Sequence, residues 1–205
     1  GRYGMTPTAL FEQLGLWNYG GGAFHSVWVS NEDLNIYKKH GVYAVLNAGS
    51  NAKLASGIAP VEKMLQMGIP LAVGTDGPSS NNALDMFREM YLICVLQKLR
   101  EKNAAAADAN AILKAATAGS ARCMGLPEAD CIAPGKLADL TVIGLHRPNM
   151  QPINNITKNL VYSGAKTNVR LTMVDGRILY ENGRFLNADT DEIYKNAQAV
   201  IDRIR

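Results

Sequence analysis

The stretch PLAVGTDGPSSNN, residues 70–82, joins an apolar run to a group of turn-forming residues. Its first part, PLAVGT, has the continuous apolar character of a strand that is buried on both faces. A carboxylate, Asp76, stands where this strand should end, and Gly77 and Pro78 follow at once. Aspartate before glycine is common in turns, because its side chain bonds nearby backbone amides. A carboxylate that ends a buried strand also needs a strong partner, such as a divalent cation or an arginine. The local sequence leaves both interpretations of Asp76 open.

Strand and helix patterns alternate on the N-terminal side of this stretch. Two further strands are predicted, GAFHSVWV (22–29) and VYAVLN (42–47), because both are rich in β-branched and aromatic residues. The order strand, loop, helix, repeated three times, predicts parallel βα units. The segment AGSNAKLASG (48–57) is predicted to be a loop. Helices are predicted at 6–14, 31–40, 59–68, 83–100, 104–119 and 120–125.

The character of the sequence changes after residue 125. A strand is predicted in PGKLADLTVIG (134–144), and a hairpin in NVRLTMVDGRILYENGRFL (168–186), where Asp-Gly and Asn-Gly mark tight turns. The chain then closes with a predicted helix over 189–205. We therefore divide the chain into an α/β part (1–125), a small β-sandwich-type module (126–187) and a C-terminal helix (188–205).

The overall composition excludes several classes of protein. The 205 residues are 47% hydrophobic and 19% charged, with no run of 18 apolar residues, which argues against a membrane partner. A net charge of +3 from 21 basic and 18 acidic residues argues against a nucleic-acid partner. The three cysteines have no C-x-x-C spacing, which indicates reduced thiols in a cytoplasmic protein.

Candidate functional residues follow the predicted strands, because functional groups of α/β folds gather at the C-terminal strand ends. The first strand carries His25, the second runs through Asn47 into Ser50 and Asn51, and the third ends at Asp76. His25 is interpreted either as a core histidine with satisfied nitrogens or as a group that binds a metal or orients a water. Three further charged residues are predicted to lie outside the site: Lys53 as a solvated loop residue, and Arg88 and Glu89 in surface or inter-helix pairs. No glycine-rich phosphate loop follows a strand, which makes a nucleotide-binding domain a weak hypothesis.

Three motifs together resemble a known family. The segment GTDGPSSNNALDMFREM (74–90) is similar to the end of barrel strand eight in the amidohydrolase superfamily, in the branch of methylthioadenosine/S-adenosylhomocysteine deaminases and chlorohydrolase-like enzymes. AFHSV (23–27) resembles the strand-six motif A-H-x-V-H of that family. GKLADLTVI (135–143) and TMVDGRILYENG (172–183) resemble its small β module.

The resemblance implies a metal-dependent (β/α)8 barrel that hydrolyses C–N bonds and usually deaminates a ring, such as that of a purine nucleoside. Asp76 would be a ligand to a single divalent metal, with zinc as the first candidate and iron as the second. It could also take a proton from the attacking water, while His25 would hydrogen-bond that water or the forming oxyanion. The implied partner is a small molecule, a purine nucleoside or another amino-substituted ring, and the sequence names no substrate-binding residue.

The sequence also departs from the family pattern. The H-x-H of strand one and the H-x-x-E of strand five are absent, and Leu46-Asn47-Ala48 replaces the H-N-P of strand seven. Trp28 occupies the place of the second histidine of the strand-six motif. With about three of eight βα units, the chain is expected to be the C-terminal half of such an enzyme, trimmed or internally started, since residue 1 is not methionine. It is expected to be inactive without the missing N-terminal half.

The alternative hypothesis is a non-catalytic α/β fragment that folds by oligomerising or by pairing with a partner chain. An uncovered edge of a parallel sheet is a template for association. This hypothesis predicts dimers or aggregates of the isolated chain, which light scattering would detect.

Overall fold

The computed structural model describes residues 3–204, so Gly1, Arg2 and Arg205, the last residue of the predicted C-terminal helix, lie outside it. The described helices are α1 (Pro7–Gln13), α2 (Asn31–His40), α3 (Ala48–Lys53), α4 (Val61–Met67), α5 (Pro78–Asn81), α6 (Met86–Glu101), α7 (Ala109–Lys114), α8 (Ser120–Cys123), α9 (Ile156–Ser163) and α10 (Thr190–Ile204), with a π-helical turn at Ala115–Gly119. The described strands are β1 (Gly22–Phe24), β2 (Tyr43–Leu46), β3 (Leu71–Val73), β4 (Leu140–Ile143), β5 (Val169–Val174), β6 (Arg177–Glu181) and β7 (Arg184–Phe185).

The N-terminal part is built on a parallel sheet with the strand order β1-β2-β3. The register places Ala44 beside Ala23 on one side and Leu71 on the other. Ala44 and Leu46 are buried, as is all of β3, because helices cover the sheet. Parallel strands need this cover, since their crossover helices pack on the sheet faces. The predicted parallel βα arrangement of this part is therefore present in the structure.

Two of the predicted local structures are wrong, and both lie beside the candidate site. The strand predicted for 22–29 ends at Phe24, because His25 and Ser26 have φ angles of 65° and 48°, which no extended strand accommodates. The loop predicted for 48–57 begins instead with helix α3. That short helix is held by contacts with residues distant in sequence, which a local pattern does not contain.

The helix starts follow the capping chemistry in the sequence. Ser30 and Asp33 form a reciprocal capping box at the start of α2, with Ser30 Oγ accepting from Asp33 N at 3.1 Å. Asp85 caps α6 by accepting from Phe87 N at 3.0 Å. Asp108 caps α7, and the helix predicted from position 104 begins only at Ala109. Each cap satisfies amide groups that have no partner inside their own helix.

The outer edge of β3 is covered by the chain itself. Ser120 Oγ accepts a hydrogen bond from Val73 N at 3.1 Å and lies 3.2 Å from Val73 O. Gly119 packs so closely on the Leu71 carbonyl that an added Cβ would collide with it. This contact covers one edge of the parallel sheet at Val73.

The second sheet is antiparallel, with the order β4-β5-β6-β7. The turn at Asp175-Gly176 has φ angles of 47° and 75°, and the turn at Asn182-Gly183 has 45° and 94°. Two consecutive positive φ angles are typical of the tight hairpin turns that Asp-Gly and Asn-Gly favour. Both predicted hairpin turns are confirmed.

Helix α9 lies in a segment for which the sequence pattern predicts no helix, and it connects the two parts of the chain. It lies between β4 and β5 in sequence and packs on α6 and α7. Val161 is buried in the same core as Ile93 and Ile112. The Lys98 ammonium lies 5.7 Å from the centre of the Tyr162 ring. The core of the α/β part therefore includes residues from beyond position 125.

The last helix, α10, differs from the others in its exposure. None of its described residues is buried, and Tyr194 and Ile204 are largely exposed. In the part of the chain that the structure describes, no helix has both the length and the apolar character needed to cross a membrane.

An ion-pair cluster fixes the connection between α8 and β4, and it predicts a pH dependence of stability. Asp130 accepts from Arg122 Nε at 2.7 Å and lies 3.2 Å from Lys136 Nζ. The Arg122 and Lys136 side chains hold the pKa of Asp130 at about 2, below its usual 3.8. A lowered pKa in the folded state contributes stability above the ordinary pKa, and this contribution is lost as the pH falls through the folded value.

We therefore expect Asp130→Asn to be less stable than the parent chain at pH 7, with the difference disappearing between pH 3.8 and about 2. Urea unfolding at several pH values measures this. Asp202→Asn, on exposed α10 where Asp202 bonds Gln198, is the matched control for the loss of one surface carboxylate. A constant difference between Asp130→Asn and the parent chain over that pH range would contradict the prediction.

Candidate functional site

The structure brings the predicted site residues together at the C-terminal end of the parallel sheet. His25 follows β1, Ser50 and Asn51 lie on α3 after β2, and Asp76 follows β3. The side chains meet because the carboxyl ends of parallel strands share one edge of the sheet. Asn47 does not join them, since it is buried with its amide group against Gly74.

Asp76 is held as a carboxylate. Its Oδ2 accepts from the Ser50 hydroxyl at 2.7 Å, and its Oδ1 accepts from Gly77 N at 2.8 Å. The Ser50 hydroxyl above all, with the Ser80 hydroxyl and the Gly77 amide, lowers the pKa of Asp76 to about 2, because hydrogen bonds to the charged form favour it. The turn interpretation and the ligand interpretation are thus compatible, since Oδ1 bonds the turn while the side chain stays about one-third exposed.

His25 is oriented by Asn51. Its Nδ1 lies 2.8 Å from Asn51 Oδ1, so with the amide oxygen accepting, the ring proton is on Nδ1. In the neutral form of the ring Nε2 then carries no proton, and it lies 3.9 Å from Asp76 Oδ2. That separation is too long for a direct hydrogen bond. The imidazole nitrogen and the carboxylate therefore face a common space.

The backbone at this site is strained. His25, Ser26 and Asp76 have φ angles of 65°, 48° and 59°, a region that residues other than glycine rarely adopt. Such conformations persist only where the surrounding structure enforces them, and they cluster at functional sites. The positive φ of His25 follows Phe24 directly and so ends β1 there.

Glu89 and Lys53 belong to the surroundings of the site. For Glu89 the predicted surface pair is wrong and the inter-helix alternative holds, because this side chain is fully buried and accepts from Gly49 N on α3 and Asn81 Nδ2 on α5. Lys53 is exposed, as predicted, but it lies on α3 and not in a loop, and it donates to Ser79 O at 2.9 Å. The sequence contains one signal for Glu89, since the apolar Ile93 follows it at the helical spacing of four residues.

A cavity of about 640 Å³ opens in front of these groups. Its wall includes His25, Asp76 and the aromatic side chains of Trp17, Phe24 and Trp28. Phe24 and Trp28 are 67% and 87% exposed, unusually high values for large apolar side chains beside a cavity. The site combines one carboxylate, one imidazole and an aromatic wall.

The donor set suits part of a metal site. A deprotonated carboxylate and an unprotonated imidazole nitrogen are both zinc ligands, and a catalytic zinc takes three protein ligands. Within residues 3–204, no group of three or more His, Cys, Asp or Glu side chains is placed to hold a metal ion. Asp76 and His25 therefore form no complete metal site by themselves among the described residues.

Comparison with known proteins identifies the family. The model of the amidohydrolase family matches residues 5–179. This chain belongs to the amidohydrolase family. The match includes His25, Asp76, strands β4 and β5 and the first half of β6, so it covers both the candidate site and most of the second sheet.

Individual members of the family resemble the chain over nearly its whole length. A 5-methylthioadenosine/S-adenosylhomocysteine deaminase of Pyrococcus furiosus is 40% identical over 201 residues, which are 98% of this chain and 48% of that protein. The crystal structure of an adenosine deaminase from Xanthomonas campestris with bound zinc matches 99% of this chain and 46% of its own, with 34% identity and a TM-score of 0.95. An atrazine chlorohydrolase from Arthrobacter aurescens in complex with zinc matches 97% and 44%, with 27% identity and a TM-score of 0.90.

In each of these comparisons the match covers nearly all of this chain but less than half of the other protein. The chain spans about half the length of the curated relatives that it matches.

Proposed function

We propose that this chain is the C-terminal part of a metal-dependent deaminase that hydrolyses a C–N bond of a purine nucleoside or a similar amino-substituted ring. The observation that carries the proposal is the convergence of Asp76 and His25, 3.9 Å apart, on one cavity in a member of the amidohydrolase family. The names of the relatives, deaminases of adenosine-type compounds, support this class of substrate.

Asp76 would hold the metal together with ligands from outside this chain, and His25 would lie beside it. Relatives solved with bound zinc favour zinc, and iron remains a second candidate. A divalent metal bound there would lower the pKa of a water from about 15.7 to about 7 and so supply hydroxide at neutral pH. The low pKa of Asp76 supports the ligand role, since the side chain is ionised at any physiological pH.

The residues of this chain would then transfer protons and orient the reacting groups. Asp76 can accept the proton of the attacking water and pass it towards the departing ammonia, as general acid–base catalysis requires. Because Asn51 occupies Nδ1, His25 faces the reacting groups through Nε2. In the neutral ring Nε2 can accept from the attacking water, and only with a proton on Nε2 can it donate to the developing oxyanion. The aromatic wall of Phe24 and Trp28 suits the flat face of a heteroaromatic ring.

The fold also supports a proposal for how the chain is divided into parts. We infer that the three βα units are the last three of a (β/α)8 barrel, that 126–187 forms the small β module, and that 188–205 forms a separate helix. The exposed Phe24 and Trp28 would be covered by the missing N-terminal half or, alternatively, by a second copy of this chain. We also propose a cytoplasmic location, supported by the free thiols of Cys94, Cys123 and Cys131.

A chimera tests the proposed activity. This chain replaces the matching segment of the Pyrococcus furiosus relative, so that the remaining half of the barrel is present. We expect the chimera to bind a single zinc ion and to release ammonia from methylthioadenosine, 5′-deoxyadenosine or adenosine, whereas the 205-residue chain alone releases none. Ammonia release and metal analysis measure this. A folded, monodisperse chimera without zinc and without turnover would contradict the proposal.

A further inference from the structure

Glu89 is a buried acid whose role the proposed reaction does not explain. It lies on α6 and is fully buried, and burial raises the pKa of its carboxyl group. Burying such a group costs free energy unless hydrogen bonds replace its lost hydration. The hydrogen-bond partners of the Glu89 carboxyl group therefore indicate its role.

The two carboxylate oxygens of Glu89 bond two different segments, one that follows β2 and one that follows β3. Oε2 accepts from Gly49 N on α3 at 2.8 Å, and Oε1 accepts from Asn81 Nδ2 on α5 at 2.7 Å. The same Asn81 amide donates to the Thr75 carbonyl at 2.6 Å, directly before Asp76. One buried side chain thus connects the loop after β2 with the loop after β3.

The residues that orient the candidate site lie on these two loops. Ser50, next to Gly49, donates to Asp76. Asn51, one residue further, bonds His25 Nδ1. A shift of α3 relative to the loop after β3 would disturb both contacts together, because Ser50 and Asn51 share one turn of helix.

We propose that Glu89 is a positioning residue, whose carboxylate holds α3 and the Asp76 loop in register so that Asp76 and His25 meet at their 3.9 Å separation. The expected effect on catalysis rests on the proposed function. The alignment of α3 with the Asp76 loop does not depend on it. Glu89 acts through Gly49 and Asn81, and Gly49 is required because any Cβ there would collide with the Glu89 and Asn81 side chains.

The chemistry of the two partners explains why the residue is an acid. Both Gly49 N–H and Asn81 NH2 are donors, and only a carboxylate presents an acceptor to each of them. In Glu89→Gln, one end of the amide becomes an NH2 group that faces a donor. Glu89→Gln keeps nearly the same side-chain volume and removes only one of the two acceptor oxygens.

Glu62→Gln is the matched control. Glu62 also uses its two oxygens to accept from a backbone amide, Ala107 N at 2.7 Å, and from a side-chain amide, Gln66 Nε2 at 3.0 Å. It lies on α4, and its two partners lie outside the site loops. Any effect common to both variants reflects general loss of stability, and an effect confined to Glu89→Gln reflects positioning.

The first measurement uses the 205-residue chain and needs no activity. Nitrogen-15 NMR of the His25 ring reports which nitrogen carries the proton. We expect the parent chain and Glu62→Gln to show the Nδ1–H form, and Glu89→Gln to lose its predominance while the thermal unfolding remains cooperative. Should Glu89→Gln not fold, Asn81→Ala, which removes the link to Thr75, takes its place with the same expected change.

The second measurement uses the chimera. We expect Glu89→Gln to lower kcat by roughly 10²-fold, the scale of a misplaced catalytic group, with KM changed little. An unchanged His25 spectrum in Glu89→Gln, or an equal change in Glu62→Gln, would overturn the inference. If the parent chimera is inactive, the proposed function fails, and the NMR measurement still decides whether Glu89 positions His25.

Discussion

Asp76→Asn should lower the kcat of the chimera by roughly 10²–10⁴-fold, the range expected when a group that transfers protons is removed. Asparagine has nearly the same shape and keeps an oxygen that can accept from the Ser50 hydroxyl or the Gly77 amide. It lacks the negative charge that a cation and a proton require. The expected loss therefore reports chemistry and not the collapse of the loop.

The measurements are ammonia release and the zinc content after dialysis, both of which should fall. Asp85→Asn is the matched control, because Asp85 caps α6 and asparagine is an equally good N-cap. The same chemical change nine residues further along should leave kcat near the parent value. A chimera with Asp76→Asn that retains full activity would show that Asp76 is only a turn residue.

Gly49→Ala should destabilise the folded chain by about 3 kcal/mol or more, through two effects at one position. Overpacking of a well-filled interior costs about 1–3 kcal/mol, and loss of a hydrogen bond to a charged group costs about 1.5–3 kcal/mol more. The Cβ at position 49 would lie 2.9 Å from the Asn81 side chain and closer still to Glu89 Oε1. Neither neighbour is the free end of a flexible surface side chain, since both are buried.

Urea unfolding of the 205-residue chain measures this difference. Gly77→Ala provides the control, because the Cβ there would have Ser79 Oγ at 3.9 Å as its nearest neighbour. Gly77 also has a negative φ of −79°, so alanine causes no backbone strain. We expect its effect to stay within about 1 kcal/mol. Equal stabilities of the Gly49→Ala variant and the parent chain would contradict the tight packing around Glu89.

Local sequence predicts most of the elements that carry the site. The caps at Ser30 and Asp108 and the turns at Asp175-Gly176 and Asn182-Gly183 depend on side chains and backbone freedom within four residues. Local rules therefore suffice for them. The same is true of Asp76, because its position at the end of an apolar run places it at the C-terminal edge of the sheet.

The failed predictions have a common cause. Positions 48–57 contain no strong helix signal, yet α3 forms there, where Glu89, forty residues later, accepts from Gly49 N. His25 stands in a sequence typical of strands, yet its backbone leaves the strand and its ring bonds Asn51. In both places, contacts between distant residues outweigh the local preference, which is worth only tenths of a kcal/mol to about 1 kcal/mol per residue.

The sequence by itself determined the α/β order of the first 125 residues, the hairpins that follow, and the placement of a carboxylate at the end of β3. The tertiary structure decided that Asp76 is kept ionised by Ser50, that His25 is oriented by Asn51, and that Glu89 lies buried beneath both. Local patterns arise from neighbours along the chain, and they specify strands, caps and turns. A site depends on the relative positions of separate loops, and here a buried carboxylate with two amide donors bonds both of them.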